Sequence, residues 1–352
     1  MTAGPGLVED VRRIAVLRAN AIGDFIVSLP AIEAIKRAYP GAALTLLGTS
    51  WHAEFLAGRP GPVDEVVALP PISGVSTSEA GYPVPGETGA ALRERAFDLA
   101  VQIHGGGRFS NPFVRQLGAR VTAGLRSPDA EELDRWVPYT YFHHETLRFL
   151  QVAELVGGVA DGLEPRIAVT ERDRDELAES LGELPDGLVA LHPGATDPRR
   201  RWPAERFAAV ADRLDRPVVV TGNRAEKDLV EATVAAIRTR AAVPVVGLLT
   251  LGGLAALYER CDLVISNDTG PRHLAGAVGT PTVAVYWCGN LINAGPLSRT
   301  RHRPLISWTT RCPSCGTSGV DLNAERCEHD GSWVADVSVE TVMEQVEDLL
   351  KG

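Results

Sequence analysis

The first fifty residues alternate in a way that few folds accommodate. RRIAVLR is an apolar run of strand type, ANAIGD is a short glycine-bearing loop, SLPAIEAIKRAYP carries apolar residues at helical spacing up to Pro40, and ALTLLGT is a second apolar run. Strand, helix and strand joined this closely build a parallel sheet covered by helices. DLAVQI predicts a further strand, and helices are predicted to start near Asn111 and to run from Glu145 to Val156.

After the connection GGVADGLEPRIAV the pattern restarts. GLVALHPGA is a strand entering a glycine turn, PAERFAAVADRL an amphipathic helix, and PVVVTGN a strand ending in a loop. Helix AEKDLVEATVAAIRT, strand PVVGL, helix LGGLAALYERC and strands DLVISND and TPTVAVYW follow. The expectation is an α/β chain with two domains, 1–165 and 166–335, and a last helix over 336–352. The Pro- and Gly-rich segment from Pro70 to Gly89 is expected to be an exposed, mobile surface loop, or else a lid.

Composition excludes several function classes. A net charge of -10 over 352 residues argues against a nucleic-acid or acidic-membrane footprint. MTAGPGLVEDVRR lacks the apolar core of a signal peptide, and no segment approaches the roughly 20 apolar residues of a membrane span, so a soluble, cytoplasmic protein is expected. Five cysteines in a chain this long are not a disulfide scaffold. Composition does not fix an oligomeric state.

Open parallel sheets bind ligands at the carboxyl ends of their strands, which directs attention to four loops: ANAIGD, HPGATDPRRRWP, TGNRAEKD and NDTGPRHLAG. In the last, Asp268 and Thr269 end a strand, Gly270 permits close backbone approach, and His273 sits near the start of a helix whose amides and dipole suit a phosphate. Helix capping by Asp268 or Thr269 is the competing reading. The second loop offers Thr196, Arg199, Arg200 and Arg201, either a solvated run or bidentate partners for an acidic ligand. Glu226 is placed to accept from ribose hydroxyls or to serve as a first-turn charge. In the first loop, Asn20 and Gly23 flank Asp24, a candidate general base whose alternative is a helix cap. His143 and His144 read as a polar helix start. Asp173 and Asp175 lie in a solvated helix start and are assigned no metal.

RANAIGDFIVSLPAIEAIKRAYP, HPGATDPRRRWPAERF and NDTGPRHLAGAVGTPTVAVYW together resemble the signatures of glycosyltransferase family nine, the heptosyltransferase family. The resemblance spans most of the chain and implies a GT-B fold, two Rossmann-like domains facing a central cleft. The acceptor would lie mainly on the N-terminal domain, the nucleotide sugar on the C-terminal one, and the last helix would pack back on the first domain. By the same resemblance Asp24 matches the catalytic base, Asp268, Thr269, Gly270 and His273 the diphosphate-binding segment, and Thr196 and Glu226 donor contacts. Family members commonly carry Lys where this chain has Arg200, which keeps the charge and changes its reach.

The implied reaction is an inverting, metal-independent transfer of a sugar, heptose from ADP-heptose, to an acceptor hydroxyl on lipopolysaccharide core, another glycan, a lipid-linked acceptor or a small metabolite. Asp24 would deprotonate the acceptor while Arg200 and the amides near Thr269 and Gly270 stabilise the leaving diphosphate. No catalytic cofactor is required, and a lipid-linked acceptor would bring the protein to the inner face of the membrane. Two rivals stay open: a sugar-nucleotide epimerase of related fold, and a nucleotide-sugar-binding protein without catalysis. Cys312, Cys315, Cys327 and His329 form a C-x2-C-x11-C-x-H pattern that suits a structural zinc or iron site, with metal-free reduced or disulfide-linked cysteines as the alternative.

Overall fold

The computed structural model describes residues 6–351; the first five residues of the stretch read above for a signal peptide lie outside them. Two compact units divide the chain, Met1–Pro165 and Arg166–Gly352. Each is built on a six-stranded sheet whose neighbouring strands are all parallel. In the first unit, β1 (Arg13–Leu17), β2 (Ala43–Gly48), β3 (Glu65–Ala68), β4 (Leu99–Gln102), β5 (Val121–Arg126) and β6 (Arg135–Pro138) lie in the order β3-β2-β1-β4-β5-β6. In the second, β7 (Val189–His192), β8 (Val218–Gly222), β9 (Ala242–Val246), β10 (Leu263–Asn267), β11 (Thr282–Trp287) and β12 (His302–Ser307) lie in the order β12-β11-β10-β7-β8-β9.

This is one topology used twice, the two Rossmann-like sheets of a GT-B fold. In each, the chain winds outward on one side of its first strand and then crosses to the other side. That reversal opens a crevice at the carboxyl ends of β1 and β4, and likewise of β7 and β10. These four central strands are buried from Ile14 to Leu17 in β1 and throughout in β4, β7 and β10, which is why they read as continuous apolar runs.

The last helix, Val339–Lys351, places Val342, Met343 and Val346 in the second unit's core beside Phe207, Val210 and Leu263. Its entry is pinned there, because the buried Trp202 donates through Nε1 to the Val337 carbonyl at 2.9 Å. One expectation, for the segment after Pro70, is corrected: it is more than a surface loop. Ile72 and Val75 join Leu69 in the first unit's core, the Ser76 hydroxyl donates to the Pro70 carbonyl, and the Ser73 amide donates to the Tyr82 carbonyl at 2.8 Å.

Candidate functional site

In the first unit, β1 delivers the chain into the short helix Ile22–Ile26, with Asp24 in its first turn. The Asp24 carboxylate accepts from the Ala21 amide at 3.3 Å and from Arg18 Nη2 at 3.4 Å. It remains 39% exposed, so capping uses only part of its accepting capacity. The open side lines a cavity of about 530 Å³ together with Asn20, Trp51, Ser76, Thr77 and His104. Gly23 lies inside the short helix and Asn20 in the turn before it.

Two residues that the sequence reading passed over organise this crevice. Arg18 is buried, and its guanidinium donates to the Asp24 carbonyl at 2.9 Å, to the Ile103 carbonyl at 2.9 Å and to Glu145 at 3.0 Å. A buried cation must be paired, and Arg18 divides its charge between Asp24 and Glu145; the latter also takes Arg148 at 3.1 Å. His104 follows β4, and its Nδ1 accepts from the Ala19 amide at 3.3 Å, which leaves the proton on Nε2. Burial, aided by the charges of Arg18 and His52, pushes the His104 pKa down to about 3, so the imidazole is neutral near neutral pH. Its signal in the sequence is its place directly after a central strand. His144 is the N-cap residue of the helix Glu145–Glu154, as a polar helix start would require.

In the second unit, Asn267 at the end of β10 ties the crevice together. Its Oδ1 accepts from the Trp202 amide at 2.8 Å and its Nδ2 donates to the Pro193 carbonyl at 2.7 Å. The three adjacent arginines part company. Arg199 pairs with Asp197, Arg201 donates to the Ala195 carbonyl at 2.9 Å, and Arg200 reaches Asp268. Thr196 is exposed at the tip of the same loop.

Asp268 is 5% exposed, and its carboxylate meets Arg200 Nη1 at 3.3 Å, Asn290 Nδ2 at 2.6 Å and His273 Nε2 at 3.6 Å. Burial alone would raise its pKa; His273 first, then Arg200 and Asn290, outweigh that and hold it below the usual carboxylate range. Thr269 takes the N-cap position, but neither candidate side chain caps the helix. The Asp268 carboxylate is spent on these three partners, and the Thr269 side chain makes no capping hydrogen bond to the helix Gly270–Ala277. Arg272 in that helix's first turn is a further residue the sequence reading missed. It is 5% exposed, its Nε and Nη2 have no hydrogen-bond partner, and it makes no ion pair among the described residues. A cation at a helix N-terminus opposes the dipole, and that mismatch was legible in GPRH.

Glu226 does serve as a first-turn charge, accepting from the Asn223 amide at 2.9 Å. It lies 4.0 Å from the buried His192 and presses on Gly194, where a Cβ would collide with the carboxylate. Asp173 likewise caps its own helix, accepting from the Thr170 amide at 2.8 Å. Late in the chain, one ligand atom from each of Cys312, Cys315, Cys327 and His329 converges with the others within 4.8 Å, and all five cysteines are free of disulfides. Among the described residues no helix is long and apolar enough to cross a membrane.

Comparison with known proteins identifies the family and the fold. The chain is 22% identical over 305 residues to the lipopolysaccharide core heptosyltransferase OpsX of Haemophilus influenzae, covering 83% of this chain and 84% of that protein. The structure of a family 9 glycosyl transferase from Veillonella parvula superposes with a TM-score of 0.78 at 23% identity, covering 99% of both chains. That of Escherichia coli ADP-heptose lps heptosyltransferase II gives 0.72 at 19% identity, covering 97% of this chain and 98% of the other. At such identities the two structural likenesses speak for the fold. The family model described as "Glycosyltransferase family 9 (heptosyltransferase)" matches residues 87–313, well over half of the sequence. It spans β4, β7 and β10 with the loops that follow them, and on that match the chain is a glycosyltransferase belonging to family 9.

Proposed function

We propose that the protein transfers heptose from ADP-heptose, with inversion, to a hydroxyl of lipopolysaccharide core or a related glycan acceptor. The observation that carries this reading is the contact of Arg200 with Asp268, which joins the loops after β7 and β10 beside the start of the helix Gly270–Ala277. A fixed cation beside a helix N-terminus is what a leaving diphosphate needs. Thr269, Gly270 and His273 complete the diphosphate segment, and Thr196 and Glu226 contact the rest of the donor.

Asp24 is the general base. It takes the proton of the acceptor hydroxyl as that oxygen bonds to the anomeric carbon, while the bond to the diphosphate breaks and ADP leaves with the electron pair. Arg18 holds the Asp24 side chain, and the neutral His104 offers Nε2–H to an acceptor oxygen in the same cavity. The negative charge that develops on ADP is met by Arg200 and backbone amides, so the transfer step runs without a metal ion. A lipid-linked acceptor places the protein at the cytoplasmic face of the membrane. A zinc or iron ion at the late Cys/His group is structural in this reading.

The test is thermal unfolding with a panel of nucleotide sugars. A ligand at about 100 times its Kd adds about 2.7 kcal/mol, or about 5–10 °C for a unit of this size. ADP-heptose is expected to give the largest shift. A larger shift with a uridine or guanosine sugar overturns the donor assignment, and epimerised nucleotide sugar formed without acceptor overturns the transfer.

A further inference from the structure

Residues 308–338 join β12 to the last helix with no helix or strand of their own, apart from one bridge between Arg311 and Ser318. Long unstructured connections inside a compact unit need another source of order. Val334 and Val337 anchor the segment's end in the second unit's core, but an apolar core does not order the stretch before them, where Trp308 is 69% exposed and Leu322 59%. What the segment does have is the convergence of Cys312, Cys315, Cys327 and His329.

The sulfurs are presented as ligands. Cys312 and Cys315 flank a tight turn closed by the Gly316 amide donating to the Cys312 carbonyl at 2.9 Å, with Gly316 at φ 76°, a conformation that favours glycine. The Cys312 amide donates back to the Thr317 carbonyl at 2.8 Å, and the Cys315 sulfur lies 3.2 Å from the Thr317 hydroxyl. A tetrahedral ion with metal–sulfur bonds of about 2.3 Å places its sulfurs about 3.8 Å apart, within the observed spread.

The same segment grips the loop after β7. Arg326, beside Cys327, lies 3.7 Å from Asp197, the Trp333 amide donates to the Arg199 carbonyl at 2.8 Å, and the Arg199 guanidinium stands 5.2 Å over the Trp333 ring. Arg200 directly follows the second of these anchors.

We infer that Cys312, Cys315, Cys327 and His329 bind one zinc or iron(II) ion, and that this ion fixes the Asp197–Arg200 loop for the nucleotide diphosphate. The second half rests on the donor reading proposed above.

The experiment uses full-length, untagged, reduced protein from zinc- and iron-supplemented cells. Elemental analysis is expected to find about one equivalent of zinc or iron, absent from Cys315→Ser and from Cys327→Ser. Chelation of the wild type should weaken ADP binding, read by calorimetry, by about fivefold or more, and restored metal should reverse it. Chelated wild-type protein serves as the check should a variant fail to fold. Metal-free wild-type protein, or full metal content in the variants, overturns the site. Stoichiometric metal whose removal leaves ADP affinity unchanged overturns the positioning role alone. A metal-loaded protein that binds no ADP overturns the donor reading and leaves the site standing.

Discussion

Arg200 Nη1 stands 3.3 Å from Asp268 Oδ2, a contact between residues 68 positions apart that connects the two loops flanking the second unit's crevice. The same carboxylate also holds Asn290 and faces His273, so Arg200 is positioned by a buried anion that is itself firmly ionised. A guanidinium oriented in this way is ready for a diphosphate without reorganisation.

Removing that cation should be felt by the donor. Arg200→Ala is expected to weaken ADP binding about tenfold and to lower turnover further, because the charge it meets grows as ADP leaves. Arg200→Lys restores charge without the planar fork and should recover most of the binding. Calorimetry with ADP and initial rates with ADP-heptose, run on both variants, separate the two effects.

Acid stability should depend on His52. This histidine is fully buried, packs against Phe25 and Trp51, and has its pKa lowered to about 3 by burial first and the Arg18 charge second. The unfolded chain therefore binds a proton below pH about 6.5 that the folded chain refuses. His52 in its native setting gives stability that is fully present above pH 6.5 and is lost as pH falls toward 3. The slope is about 1.4 kcal/mol per pH unit, and His104 acts in the same direction. Urea unfolding at pH 4, 5, 6 and 7 should show a flatter profile for His52→Gln than for the wild type; parallel profiles contradict this.

The placement of the last helix is open to a simple packing test. Met343 is 6% exposed in the second unit's core, so Met343→Ala should cost about 2–5 kcal/mol. Glu347, on the exposed side, should tolerate Ala within about 0.5 kcal/mol. Chemical denaturation of both variants, monitored in the second unit, decides it; equal small effects would contradict the packing described.

Much of the architecture was legible because β1, β4, β7 and β10 are buried on both faces and their loops carry the polar residues. The strands the sequence reading passed over lack that signature. β3 is a four-residue edge strand, β6 ends on Pro138 at the other edge, β12 carries Pro304 at an edge, and β5 is interrupted by Gly124, which sits against Gln102. Asp24, Arg200 and Asp268 were singled out from loop position and family signature. Arg18 and His104 were not singled out, because each owes its character to burial and to partners distant in sequence, such as Glu145 for Arg18 and Ala19 for His104. For the last helix, an amphipathic pattern shows that a face is buried without showing against what.

The most direct test of the account is Asp24→Asn, followed by two readouts on the same preparation: transfer from ADP-heptose to acceptor, and ADP affinity by calorimetry. A base in the transfer step contributes about 10²–10⁴-fold, and its loss should leave the donor site intact. The account predicts turnover reduced by at least about 100-fold with ADP affinity within about twofold of wild type. Wild-type turnover in Asp24→Asn would contradict it.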